Sequence, residues 1–277
     1  MPPISYETLV ARNTGYVSES TQKKIRQTKL LIAGCGIGSS PAVCAARMGF
    51  ENFVLADGDV VDEHNLNRQF YDHADIGTAK VQALKKQIQR INPEANVEAI
   101  NANLTPANTS EIVARCDLVF DTVDFLDLPA ILALHRAAHD LGKPIFTALS
   151  VGFGALVWYF PAGSGTTLQD MLAADVAAVT EQGGSASGYA DVFASFIRRL
   201  APHLDAEVVE QVAKVLTLMK DGKPCPASQV AVGSFSVAAL ALSMICDLLA
   251  ERDLPQAPNL VLVSFRGYRL DIVSPIA

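Results

Sequence analysis

The sequence predicts an α/β protein, a largely parallel sheet followed by a C-terminal elaboration of mixed strands and helices. Three observations predict it. Short apolar runs near 29–33, 53–56, 97–101, 118–120 and 144–148 alternate with helical stretches, the rhythm of βαβ units. The first run ends in Gly34-Cys35-Gly36-Ile37-Gly38-Ser39 and opens a helix, the context in which a glycine loop serves phosphate. After residue 150 the alternation gives way to helices and a few separate strands. The first two describe a Rossmann-like sheet, whose ligands lie beyond the carboxyl ends of the strands.

Residues 1–28 read as an irregular arm with a short polar helix near 18–26. The first strand, 29–33, leads to a helix at 40–48 in which Pro41 suits a first turn. The second strand, 53–56, ends at Asp57. Residues 58–77 are polar and loop-like, and 78–91 has helical periodicity that Asn92-Pro93 stops. A third strand at 97–101 and a helix at 106–115 follow. The fourth strand, 118–120, ends in Asp121-Thr122-Val123-Asp124; helix 128–141 stops at Gly142, and 144–148 is the fifth strand. Beyond it, 155–160 reads as a strand and 161–188 as a long Gly/Ser/Ala-rich connection. Helices at 190–200 and 204–219, an apolar helix at 230–250 and strands at 260–265 and 268–273 complete the chain. Nothing at 150–160 has linker composition, so the expectation is a single domain over 1–277. It comprises an arm (1–28), a nucleotide-binding core (29–150) and a C-terminal part (151–277).

With 277 residues, 50% of them hydrophobic and 18% charged, the chain can bury a sizeable core and is no disordered protein. A formal charge of −7 without a long Lys/Arg block argues against a nucleic-acid partner. The cysteines, at 35, 44, 116, 225 and 246, form no CxxC pair, which disfavours a disulfide framework and a cysteine-held zinc. The uncharged stretch 230–246 is short for a membrane span and is interrupted by Gly233 and serines, so it reads as a buried helix. The start of the chain does not resemble a signal peptide, and a cytoplasmic location is the expectation.

In the glycine loop, Gly34 suits the tight turn and Gly36 a close backbone approach. Ser39 stands where a third glycine is usual, with Gly38 beside it. Asp57 lies where an acid reaches a ribose hydroxyl. The loop alone does not separate a dinucleotide from ATP; Asn65, Arg68 and Lys80 do. Attack at the α-phosphorus of a triphosphate needs the departing pyrophosphate stabilised. Arg68, within Asn65-Leu66-Asn67-Arg68-Gln69, offers a planar fork, Asn65 a neutral donor, and Lys80 a point charge at the start of a helix. Asp124 is the favoured carboxylate for Mg²⁺; Asp121 is its competitor, or else a cap on the loop's backbone. Asp59 either assists the metal or Arg68, or is a turn carboxylate.

These motifs, in this order, resemble the ThiF/MoeB/HesA group of adenylate-forming enzymes, related to the adenylation half of ubiquitin-activating enzymes. The resemblance covers roughly residues 10–160 and extends weakly to helix 230–250. It implies MgATP-dependent adenylation of a carboxylate, commonly the C-terminal glycine of a small ubiquitin-like or sulfur-carrier protein. A peptide or a small acid are further possibilities. It also implies a homodimer with two equivalent sites. The family's ribose-binding acid falls on Asp57, its pyrophosphate-side residues on Asn65, Arg68 and Lys80, and its metal-binding aspartate on Asp124. Arg12 matches an arginine that reaches the partner protomer's ATP.

The chain also departs from the pattern. It lacks the two CxxC pairs with which many relatives bind zinc, so no zinc is expected. The stretch 161–190, where several relatives carry a thioester-forming cysteine, has none; Cys225 lies later and reads as structural or incidental. The acyl-adenylate is then expected to pass directly to an external acceptor. His135 and His139, four apart on a helix, read as surface or packing. Two other readings stay open: a tRNA-modifying dehydratase of the same family, and a nicotinamide-dependent oxidoreductase using the same loop.

Overall fold

A computed structural model describes residues 5–124, 127–181, 189–220 and 228–275. Five strands pair in parallel: β1 (Lys29–Ala33), β2 (Asn52–Ala56), β3 (Asn96–Ile100), β4 (Leu118–Asp121) and β5 (Ile145–Ser150). The strands β6 (Gly154–Phe160), β7 (Leu260–Ser264) and β8 (Arg269–Val273) extend the same sheet antiparallel. The order is β3-β2-β1-β4-β5-β6-β7-β8. The carboxyl ends of β1–β5 therefore share one edge. Chain order reverses between β1 and β4, where Ala33 pairs with Asp121. Ligands of open α/β sheets bind at such a reversal.

The central strands are apolar throughout because both faces are covered. Leu31, Ala33, Val54 and Ala56 point into one cluster with α5 (Thr109–Val113), α6 (Leu128–Asp140), α7 (Leu168–Glu181), α8 (Tyr189–Leu200) and α9 (Ala206–Lys220). Leu30, Ile32, Phe53 and Leu55 point into the other, with α2 (Glu19–Gln27), α3 (Ser39–Met48), α4 (Lys80–Ile91) and α10 (Ala231–Leu249). Among the described residues α10 is the helix long and apolar enough to cross a membrane. It packs on α3, β5 and β6. Gly233 permits that approach, since a Cβ there would stand 2.2 Å from Ser150 Oγ. The helix starts at the sheet edge that carries the glycine loop: Ser40 Oγ, in the first turn of α3, donates to Ser234 O at 2.8 Å.

Two expectations need correction. The arm is not irregular: α1 (Tyr6–Val10) and a 3-10 turn (Ala11–Asn13) precede α2. Ser5 caps α1 by accepting from Thr8 N, and the arm is stapled to the end of α3 by Tyr6 OH to Gly49 O (3.1 Å) and Asn13 Nδ2 to Met48 O (3.2 Å). The supposed connection at 161–188 contains α7. Its alanines favour helix, and Leu168, Met171, Leu172 and Asp175 recur at helical spacing and are buried. Asp175 pairs there with Arg199 of α8. Cys225 lies outside the described residues.

Candidate active site

The glycine loop is shaped by contacts that no side chain would survive. Gly34 has φ +85°, and a Cβ on it would stand 2.5 Å from Thr122 O; one on Gly38 would stand 2.2 Å from Gly34 O. Ser39 serves as a brace: its Oγ donates to Gly36 O (2.6 Å) and accepts from Phe70 N (2.9 Å). The amides of Gly36, Ile37 and Gly38 have no acceptor among the described residues. Successive unengaged amides at the start of a helix form a concavity for an anion.

Asp57 ties this loop to the end of β2. Its Oδ2 accepts from Cys35 N (2.6 Å) and its Oδ1 from Asp59 N (2.7 Å). Burial raises its pKa above the ordinary carboxylate value, opposed by the charge of Lys80 and by those two N–H groups. Lys80 opens α4 from a buried position, and its Nζ stands 2.8 Å from Asp59 Oδ2. Asp59 thus goes to Lys80 and not to Arg68. Tyr71 links the two motifs, its hydroxyl donating to Cys35 O at 2.6 Å.

Asn65 is buried and uses its Oδ1 to accept from Asp62 N, half of a capping box on the 3-10 turn Glu63–Asn65. Its Nδ2 has no partner among the described residues and remains a donor. The chain turns directly from Asn65 to Arg68, whose N donates to Asn65 O at 3.1 Å. The Arg68 guanidinium reaches Gln229 Oε1 through Nε, and His64 O (2.7 Å) and Asn67 Oδ1 (2.9 Å) through Nη1. Burial lowers its pKa, opposed by the charge of Asp124. Arg68 and exposed Asp124 are therefore within electrostatic reach of each other.

The two aspartates at the end of β4 divide their tasks. Asp121 is buried, its Oδ1 accepting from Val123 N (3.0 Å) and its Oδ2 from Thr147 Oγ1 (3.0 Å). It is the loop cap, the second of the roles open to it from sequence. His135 is buried behind it, Nε2 at 2.7 Å from Thr147 Oγ1, whereas His139 is exposed beside Asp140. Thr122 Oγ1 donates to Gly34 O at 2.7 Å, so the segment bearing Asp124 is clamped to the glycine loop. Among the described residues no group of three or more His, Cys, Asp or Glu could hold a metal. Mg²⁺ needs no such cage: one or two carboxylates with phosphates and waters suffice, and Asp124 fits that donor set.

Gly34, Gly36, Gly38, Asp57, Asp59 and Lys80 thus form one linked cluster, with Asn65, Arg68 and Asp124 beside it. Arg12 stands apart, exposed in the arm's 3-10 turn. Sequence reasoning missed four contributors. Gln69 lies buried over Gly36, its Oε1 without a partner among the described residues; its place beside Arg68 was the available signal. Tyr71 closely follows the Asn65–Gln69 motif, and Thr122 lies inside the Asp121–Asp124 segment. Gln229 had no local signal.

The sequence matches the ThiF family over residues 10–273. It is similar to the sulfur carrier protein ThiS adenylyltransferase of Escherichia coli, 33% identical over 48% of this chain and 53% of the relative. It is also similar to the molybdopterin-synthase adenylyltransferase of Haemophilus influenzae, 32% identical over 47% of this chain and 54% of the relative. The chain spans about half the length of these curated relatives. A crystal structure of E. coli MccB with ATP shares the fold: TM-score 0.67 and 17% identity, over 97% of this chain and 69% of that one.

Proposed function

The chain belongs to the ThiF family, and on that premise we propose that it is an ATP-dependent adenylyltransferase that activates a substrate carboxylate as an acyl-adenylate and releases pyrophosphate. One observation carries the reading: unengaged loop amides, a buried Lys80, the fork of Arg68 and the carboxylate of Asp124 converge on one sheet edge. A nicotinamide dinucleotide keeps its pyrophosphate intact, so it does not call for the leaving-group stabilisation that the two cations suit.

The loop amides of Gly36, Ile37 and Gly38 receive phosphate oxygens, and Asp57 faces the ribose. The attacking carboxylate is already ionised, so no general base is needed. Catalysis is alignment and charge stabilisation: Arg68, Lys80 and Asn65 stabilise the departing pyrophosphate, and Asp124 would hold Mg²⁺. When bound, the metal supplies positive charge against the phosphate oxygens. Arg12 completes the site of a second protomer in a homodimer, and the protein works in the cytoplasm.

Two relatives are named for carrier-protein and molybdopterin-synthase adenylylation, and MccB has been crystallised with MccA. On that support the substrate is the C-terminal carboxylate of a small sulfur-carrier-like protein; a peptide or a small acid is the next candidate. The test is exchange of labelled pyrophosphate into ATP with MgATP and a panel holding a ThiS-type carrier, the MccA peptide and acetate. Exchange should depend on one of them and vanish in Arg68→Ala and Asp124→Ala with the fold intact. Normal exchange in both variants would contradict the assignment.

A further inference from the structure

We propose that Gln229 is a positioning residue for Arg68, holding the guanidinium so that one edge of it faces the pyrophosphate half of ATP. The inference rests on the adenylyltransferase reading and concerns the same site.

Arginine is long and rotamer-rich, and ordering it on a ligand costs affinity unless the protein orders it first. Two acceptors come from Arg68's own turn, His64 O and Asn67 Oδ1, and both take Nη1. They leave the other side of the fork unfixed. Gln229 Oε1 takes Nε from a segment 161 residues away. With Nε and Nη1 engaged, Nη2 is the edge left to meet an anion. The charge of Asp124 acts on the same guanidinium.

Gln229 is itself held in place. Its backbone O accepts from Asn67 Nδ2 at 3.1 Å, so the Asn67 carboxamide bridges Arg68 and the Gln229 backbone. Two residues later α10 begins; Phe235 meets Phe70 edge-on at 4.9 Å, and Ser234 O accepts from Ser40 Oγ. The anchor is therefore as fixed as the two helices that start at the glycine loop. Its chemistry also suits the task. A neutral amide oxygen orients a guanidinium without cancelling its charge, whereas a carboxylate in that place would form an ion pair and weaken the attraction for phosphate.

The test is calorimetric titration of the full chain with ATP and with AMP, both in Mg²⁺. AMP lacks the pyrophosphate that Arg68 serves. Gln229→Ala should raise the Kd for ATP about fivefold and leave that for AMP within twofold, the range expected for one unordered rotamer-rich side chain. Gln229→Met, which keeps length and bulk without the amide acceptor, should do the same. Added to Arg68→Ala, Gln229→Ala should change the ATP Kd by less than twofold. ATP affinity unchanged in both single variants overturns the role. So does equal weakening of ATP and AMP, a full further loss on top of Arg68→Ala, or a lowered Tm in both variants, each of which would mark Gln229 as a structural brace. Wild-type protein that binds no ATP would overturn the adenylyltransferase reading as well; wild-type binding beside unaffected Gln229 variants overturns this proposal alone.

Discussion

Lys80 Nζ lies 2.8 Å from Asp59 Oδ2, yet the lysine side chain is 9% exposed and the aspartate 64%. A buried ammonium needs a counter-charge, and a solvent-screened carboxylate supplies only part of one. The cation thus keeps attraction for an incoming phosphate. Lys80→Met, which retains the buried stem, should keep the fold and lower pyrophosphate exchange by about a hundredfold or more. Asp59→Asn should cost about 1 kcal/mol in urea unfolding, a figure already reduced for the exposure of Asp59. Saturating MgATP should narrow the gap from wild type, because phosphate then supplies the Lys80 ammonium with the counter-charge that the variant lacks. A loss that nucleotide leaves untouched would mean that Lys80 does not face the phosphates.

Gly34 and Gly142 separate backbone conformation from steric closeness. Both have positive φ, +85° and +62°, but a Cβ on Gly34 would meet Thr122 O at 2.5 Å and one on Gly142 would meet nothing within 4 Å. Gly142→Ala should cost the left-handed penalty alone, about 1–2 kcal/mol. Gly34→Ala should cost more, and should also weaken ATP, since the end of β4 that carries Asp124 must move. Equal losses in urea unfolding would show that Thr122 yields freely.

Much of this fold is legible from local pattern. Leu30 to Ala33 and Phe53 to Ala56 read as buried strands because both faces are covered, and Gly34 reads as a tight turn because it ends an apolar run just ahead of a helix. What was not legible depends on partners distant in the chain. Sequence leaves Asp121 and Asp124 as rivals; the burial of Asp121 against Thr147, 26 residues on, decides which one caps the loop. The pairing of Asp59 with Lys80 spans 21 residues of irregular chain and has no periodicity to announce it. In α7 the alanines read as part of a Gly/Ser/Ala-rich connection, although Leu168, Met171 and Asp175 carry the helical spacing.

Asp57 makes a prediction about pH. Burial raises its pKa in the folded protein above the unfolded value. The folded state therefore binds this proton more tightly, and the stability it contributes is present below the unfolded pKa and lost as pH rises through the raised one. Asp57→Asn removes the titration. Wild-type stability minus that of Asp57→Asn should fall as pH is raised from below the unfolded carboxylate value through the raised one, and level off above it. Urea unfolding of both proteins across that span is the measurement. A difference that rises with pH would mean that Lys80 and the two N–H donors outweigh burial.

Arg12 tests the proposed homodimer most directly. It is exposed and stands in a 3-10 turn of the arm, which is held by Tyr6 and Asn13 against the end of α3. An arginine so placed on an ordered arm is presented outward. If it completes the partner's site, Arg12→Ala and Arg68→Ala should each be inactive alone. In a hybrid dimer, the protomer carrying Arg12→Ala still has Arg68 and receives Arg12 from its partner; the other site lacks both. Mixing the two under conditions that exchange subunits should thus restore about a quarter of wild-type activity, since half the dimers are hybrids with one complete site each. No recovery after demonstrated subunit exchange would confine every catalytic group to one chain, and full activity of Arg12→Ala alone would remove the residue from the site.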